Sequence, residues 1–147
     1  MKRLLRFFSL NRRDKLLLVQ ALFWVSVIRL ALWVLPFRMV RAAVHRVTRT
    51  RVTPRATNQA VATRVAGAVR RVSRRVPAAT CLTQALATYL ILGRSGHPVS
   101  LYVGVTRKLG GSFEAHAWTE LEGRILIGDL ENLMNYSPMQ LMKGEIP

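Results

Sequence analysis

An α+β fold is what this 147-residue sequence predicts: an N-terminal helical region, then one further helix packed on a small antiparallel sheet. Three observations carry that expectation. Apolar residues recur at steps of three and four as far as Leu90. They switch to steps of two from Val99. The charge also changes near residue 80: residues 1–80 hold 18 Lys/Arg and one acid, net +17, whereas residues 81–147 hold five Lys/Arg and six acids, net −1. By composition the chain divides into an Arg-rich helical region, 1–76, and a near-neutral unit, 77–147.

The elements follow in order. Met1–Leu10 begins with basic and apolar residues, but Arg12, Arg13 and Lys15 interrupt a signal-peptide core too early. Leu16 to Phe37 is long enough to cross a bilayer, yet Arg29 near its centre would cost about 2.5–3.5 kcal/mol there. It reads as a buried core helix or helix pair, with Trp24 and Trp33 packing the core and Pro36 ending it. Met39 to Val52 places Val40, Ala43, Val44 and Val47 on one helical face, closed by Pro54. Asn58 is the expected N-cap of a third helix with Val61, Val65, Val69, Val72 and Val76 along its stripe. Thr80 is the expected N-cap of a fourth, with Cys81 in its first turn and Gly93 as its stop. Val99–Thr106 and Phe113–Leu121 alternate as strands around a Gly110-Gly111 turn. Glu122-Gly123 is a tight turn into a short strand, Arg124–Gly128. Leu130–Pro147 carries turn signals and covers a sheet edge. His45 and His97 have no partner pattern and read as surface residues.

The basic half calls for a polyanion, an acidic protein or a membrane surface. Nucleic acid is not the favoured partner, because no reading motif accompanies the arginines. Membrane association is not favoured either, given Arg29. One cysteine excludes an internal disulfide and any multi-cysteine metal site, and it points to a reducing, cytoplasmic compartment. No phosphate-cradling glycine loop is present, so no cofactor or metal is expected.

Three residues can carry chemistry together. A helix N-terminus favours a thiolate at Cys81. A strand holds His116 as a rigid base and acid. Asp129, at the end of the neighbouring strand on the face of Ile125 and Ile127, can fix the imidazole; Glu131 is the less favoured third member. The amide of Cys81 and the nearby Gln84 can donate to an oxyanion. Trp118 shares the His116 face and can wall the site.

Cys81-Leu82-Thr83-Gln84-Ala85-Leu86-Ala87, then Ala115-His116-Ala117-Trp118-Thr119-Glu120-Leu121-Glu122-Gly123, then Asp129, resemble the lasso peptide biosynthesis B2 proteins. These are standalone leader peptidases among the transglutaminase-like, papain-related cysteine hydrolases. The resemblance covers residues 60–140. It implies a transglutaminase/papain-like core in 77–147, with Cys81 as nucleophile, His116 as base and acid, and Asp129 as orienting group. It also implies a cysteine peptidase that removes the leader from a ribosomally made precursor. That peptidase would act with a separate leader-recognition protein, upstream of a macrolactam-forming cyclase that is itself a possible partner. Two alternatives stay open: a basic nucleic-acid-binding protein, and a transamidating relative using the same Cys-His-Asp set.

Overall fold

The computed structural model describes residues 11–49, 56–108, 110–131 and 133–143. The readings placed on Met1–Leu10, Arg51, Val52 and Pro54 lie outside these residues. Four helices come first: α1 (Arg12–Val34), α2 (Phe37–Arg49), α3 (Gln59–Ser73) and α4 (Cys81–Arg94). Four strands follow: β1 (Val99–Arg107), β2 (Phe113–Leu121), β3 (Arg124–Ile127) and β4 (Ser137–Met142). The result is a helical layer on a four-stranded antiparallel sheet of order β3-β2-β1-β4.

The helix boundaries have local causes. Leu35, before Pro36, is pushed into extended backbone, which ends α1. Pro36 then opens α2, its carbonyl accepting from Met39 and Val40. The Asn58 side chain accepts from the Val61 amide at 3.1 Å and caps α3. The Thr80 hydroxyl accepts from the Thr83 amide at 3.5 Å and caps α4. Every residue of α4 from Ala85 to Leu92 is buried, because α1, α2 and α3 pack on it from one side and the sheet from the other. One apolar cluster runs from Ala21 of α1 to Met142 of β4.

The structure departs from the sequence reading in four places. Gly93 lies inside α4 rather than after it; a Cβ there would sit 2.9 Å from Thr48 Cγ2, so glycine lets α2 approach closely. The left-handed residue past the helix is Gly96, φ +84°. His97 is buried rather than on the surface. α1 is not a buried core helix: only Ala21, Val25 and Ile28 are buried, and Trp33 is 76 % exposed. Finally, the tail forms a true strand. β4 pairs with β1 (Val105 opposite Ser137, Leu101 opposite Met142), and Pro138 is tolerated because β4 is an edge. The β2–β3 connection is a tight turn in which Glu122 (φ +51°) and Gly123 (φ +76°) are both left-handed, as a two-residue hairpin requires.

Candidate active site

Cys81 is the first residue of α4 and half-buried. The first amides of a helix have no intrahelical acceptor, and the helix dipole is positive there, so the turn that carries Cys81 presents donors to a negative charge. Gln84 lies in the same turn, half-buried, with its amide engaged by the Thr80 carbonyl at 3.1 Å. Three residues upstream, Ala78 adopts a left-handed φ of +56°, a strained conformation for a residue with a Cβ.

His116 is mid-β2 and half-buried. Its Nε2 lies 2.8 Å from the Gly128 carbonyl oxygen. A carbonyl only accepts, so Nε2 carries the hydrogen and donates it. In the neutral ring Nδ1 is then left unprotonated and basic. The sequence assigns this work to Asp129, one position on. Its side chain is exposed and has no hydrogen bond or ion pair among the described residues. The physical reason is Gly128, φ +84°, which turns the chain sharply at the end of β3 and presents its own carbonyl to the ring. Glu131 is exposed as well. Replacing Asp129 by Asn should therefore cost less than about tenfold in kcat/KM, whereas His116→Ala should cost at least about a thousandfold. Steady-state rates of the two variants on one substrate check the contrast.

His116 belongs to an aromatic row. Trp118, on the same face two residues on, is 3 % exposed. Its ring stacks on Tyr102 of β1 (5.7 Å, 14°) and on His116 (6.4 Å, 15°). Its indole nitrogen donates to Glu120 Oε1 at 2.7 Å. Trp118 thus lines one side of the imidazole. Tyr136, between β3 and β4, covers another, with its ring 5.9 Å from His116. Gly104 stands opposite His116 in the β1–β2 register, and a Cβ there would lie 2.9 Å from Tyr136 Cβ and 3.0 Å from the Trp118 ring. The missing side chain is what admits Tyr136.

The Tyr136 hydroxyl donates to Glu114 Oε2 at 3.0 Å, and Lys108 holds Glu114 Oε1 at 3.1 Å. The Lys108 and Tyr136 hydrogen bonds hold the Glu114 carboxyl below its ordinary range against the opposing effect of burial, and the charges of Lys108 and His116 add to them. Burial raises Tyr136, and the Glu114 hydrogen bond, the Glu114 charge and the Cys81 charge raise it further. No hydrogen bond joins Cys81 to His116 among the described residues. Cys81 comes only within electrostatic range of Tyr136, and it is Tyr136 that touches His116. No three His, Cys, Asp or Glu side chains converge among the described residues.

Tyr136, Gly104 and Glu114 are site neighbours that the sequence pattern does not single out. The alternation along β2 does put Glu114 on the His116 face, a usable signal. Nothing in the sequence around Tyr136 marks it.

Because Glu114 is depressed in the folded state, the stability it contributes is complete above its ordinary value and disappears as pH falls through the lower folded value. Tyr136→Phe removes one of its donors and moves the folded value back toward ordinary. The acid side of a plot of melting temperature against pH should then be shallower than in the unmodified protein, with the midpoint at neutral pH lower. Identical profiles would show that this hydrogen bond does not form in solution.

No curated protein matches the chain, and no solved structure does. A family model matches residues 22–141, from within α1 to the penultimate residue of β4, and so covers Cys81, His116 and the sheet that carries them. Together with the helix-start cysteine, the strand histidine and the α+β order, that match places the chain in the transglutaminase-like superfamily, whose members are typically cysteine peptidases or transamidases.

Proposed function

We propose that the protein is a cysteine peptidase that removes the leader from a lasso peptide precursor, with a separate leader-recognition protein delivering the substrate and a macrolactam-forming cyclase acting next. One observation carries the reading. A helix-start Cys81 and a His116 whose Nε2–H is held by the Gly128 carbonyl occur in a superfamily chain bearing the Cys-Leu-Thr-Gln and Ala-His-Ala-Trp segments.

The chemistry runs as follows. In the substrate complex His116 Nδ1 comes within hydrogen-bond reach of Cys81 Sγ and takes its proton, because contacts of this kind tighten when substrate binds. The thiolate attacks the carbonyl carbon at the leader–core junction, so a C–S bond forms and the C–N bond breaks. His116 returns the proton to the departing amine, which is the N-terminus of the core and the group a macrolactam needs. Water, deprotonated by the same imidazole, then adds to the thioester carbonyl; the C–S bond breaks, the leader leaves as a carboxylate, and the imidazolium proton returns to Cys81 Sγ. The Cys81 amide, with Gln84 in support, faces the developing oxyanion at the helix start. The Gly128 carbonyl steadies the imidazolium through Nε2–H.

The test is incubation with a lasso precursor and its leader-recognition protein, read by intact mass. The unmodified enzyme should produce a leader-sized loss and the Cys81→Ala variant none. A precursor that the recognition protein binds and the folded enzyme leaves whole would count against the proposal. Attachment of an added amine to the leader would assign transamidation instead.

A further inference from the structure

We infer that the outer face of α1 is a docking surface for an anionic lipid membrane, on which the protein lies with α1 parallel to the bilayer plane. The inference goes beyond peptidase activity and does not depend on it. α1 is 23 residues, about 35 Å, long. Its inner face, Ala21, Val25 and Ile28, is buried where α1 packs on α3 and α4. Diametrically opposite runs an unbroken exposed stripe at steps of three and four: Leu16, Val19, Phe23, Val27, Leu30 and Val34. With Leu22 and Trp33 beside it, the stripe covers roughly 140° of the helix circumference. Only 22 % of the most apolar 18-residue window of α1 is buried. A soluble domain does not ordinarily leave so long a continuous apolar face in water.

Length and composition would let α1 cross a bilayer, but crossing would strip Ala21, Val25 and Ile28 from the core. Lying in the interface keeps that packing and immerses the opposite face. The charge pattern selects the occupant. Between Lys15 and Arg38 the sole charged residue is Arg29, and it is half-buried. Both ends of the stripe are basic, with exposed Arg12 and Arg13 at one and exposed Arg38 and Arg41 at the other. Trp33, 76 % exposed, sits beside the second basic end, an aromatic placed where headgroups meet acyl chains. A second copy of the chain would bring the same +17 over its first 80 residues to the contact and be repelled. A protein groove needs polar pairs to fix its register, and along its middle the stripe meets few polar side chains, Gln20, Ser26 and the half-buried Arg29. An anionic lipid surface needs neither register nor partner side chains. It supplies apolar depth and a sheet of negative charge that attracts flanking arginines.

The experiment is flotation of the full chain with vesicles of phosphatidylcholine containing about 30 mol% phosphatidylglycerol, against phosphatidylcholine alone. Binding to the anionic vesicles should be at least about tenfold tighter, and raising salt to about 0.5 M should weaken it. The Phe23→Ser/Leu30→Ser/Trp33→Ser variant changes only exposed positions. It should lose binding at least about tenfold while melting like the parent. Arg38→Gln/Arg41→Gln should weaken binding to anionic vesicles and leave the weak neutral binding unchanged. The inference falls if the protein floats with neither vesicle, or if the triple variant floats as well as the parent. It also falls if the parent forms a lipid-free dimer that the triple variant breaks, since the face would then belong to a second copy. Capture of the leader-recognition protein by this face, with loss of flotation, would equally overturn it.

Discussion

Replacing Cys81 by Ala should abolish peptide-bond cleavage and leave the fold standing. The nucleophile is not backed up: the chain contains one cysteine, and it is the first residue of α4. Loss of a nucleophile that works as a unit with its base costs about a million-fold where it has been measured, so cleavage should fall below detection. Stability should change by less than about 1 kcal/mol, because Cys81 is half-buried at the end of α4 while the Thr80 cap and the apolar body of the helix are untouched. The pairing of lost activity with an unchanged melting curve is the diagnostic result. Alkylation by iodoacetamide gives a second readout that needs no substrate. The unmodified protein should take up one carbamidomethyl group and the Cys81→Ala variant none, since the chain holds one cysteine. A Cys81→Ala variant that still cleaves would remove Cys81 from the reaction.

Gly128→Ala should be the most damaging small substitution in the chain. The residue holds φ at +84°, which costs a residue with a Cβ about 1–2 kcal/mol. The new methyl would lie 2.5 Å from the Ala117 carbonyl oxygen and 2.7 Å from Trp118 Cβ. Overpacking of this kind adds about 1–3 kcal/mol, and here one obstacle is backbone that cannot swing aside. The sum is a large share of the 5–15 kcal/mol that typically holds a domain together, roughly. If the variant survives, the strand must shift, and the carbonyl that holds His116 shifts with it. Gly123→Ala is the control: φ is +76° but nothing stands within 4 Å of the added carbon, so it pays only for the backbone. Thermal melts of the two should separate clearly, and a Gly128→Ala variant that melts like Gly123→Ala would mean the β3 exit is looser than the structure has it.

Much of the scaffold is legible in the sequence because its causes are local. Asn58 and Thr80 announce helices through their own side-chain oxygens. Val99–Val105 announces a strand by alternation, and Glu122-Gly123 a hairpin by its backbone requirements. Features that depend on partners are harder to read. Leu16–Phe37 is apolar nearly all round, which marks it as a helix with something to bury but does not say that a partner exists for only one face. Gly93 resembles a helix stop because the reason for it, Thr48 of α2, lies far away in the chain. The site divides in the same way. Cys81 and His116 can be singled out from residue type and position. The acceptor for the imidazole is a backbone carbonyl, to which every residue type contributes equally, so no motif can point to it. Tyr136 reaches the imidazole only because β4 returns to the free edge of β1.

That return also sets an order of assembly. β1 meets β2 across a short loop and β2 meets β3 across two left-handed residues, so these pairings close over little chain. β4 must come back past both before it finds β1, and such distant contacts form late because the loop they close costs more entropy. Tyr136 travels with that last strand. A growing chain therefore displays its thiol at α4 and its imidazole on β2 before the Tyr136 ring arrives against that imidazole, and the aromatic wall of the site closes only once β4 has found β1.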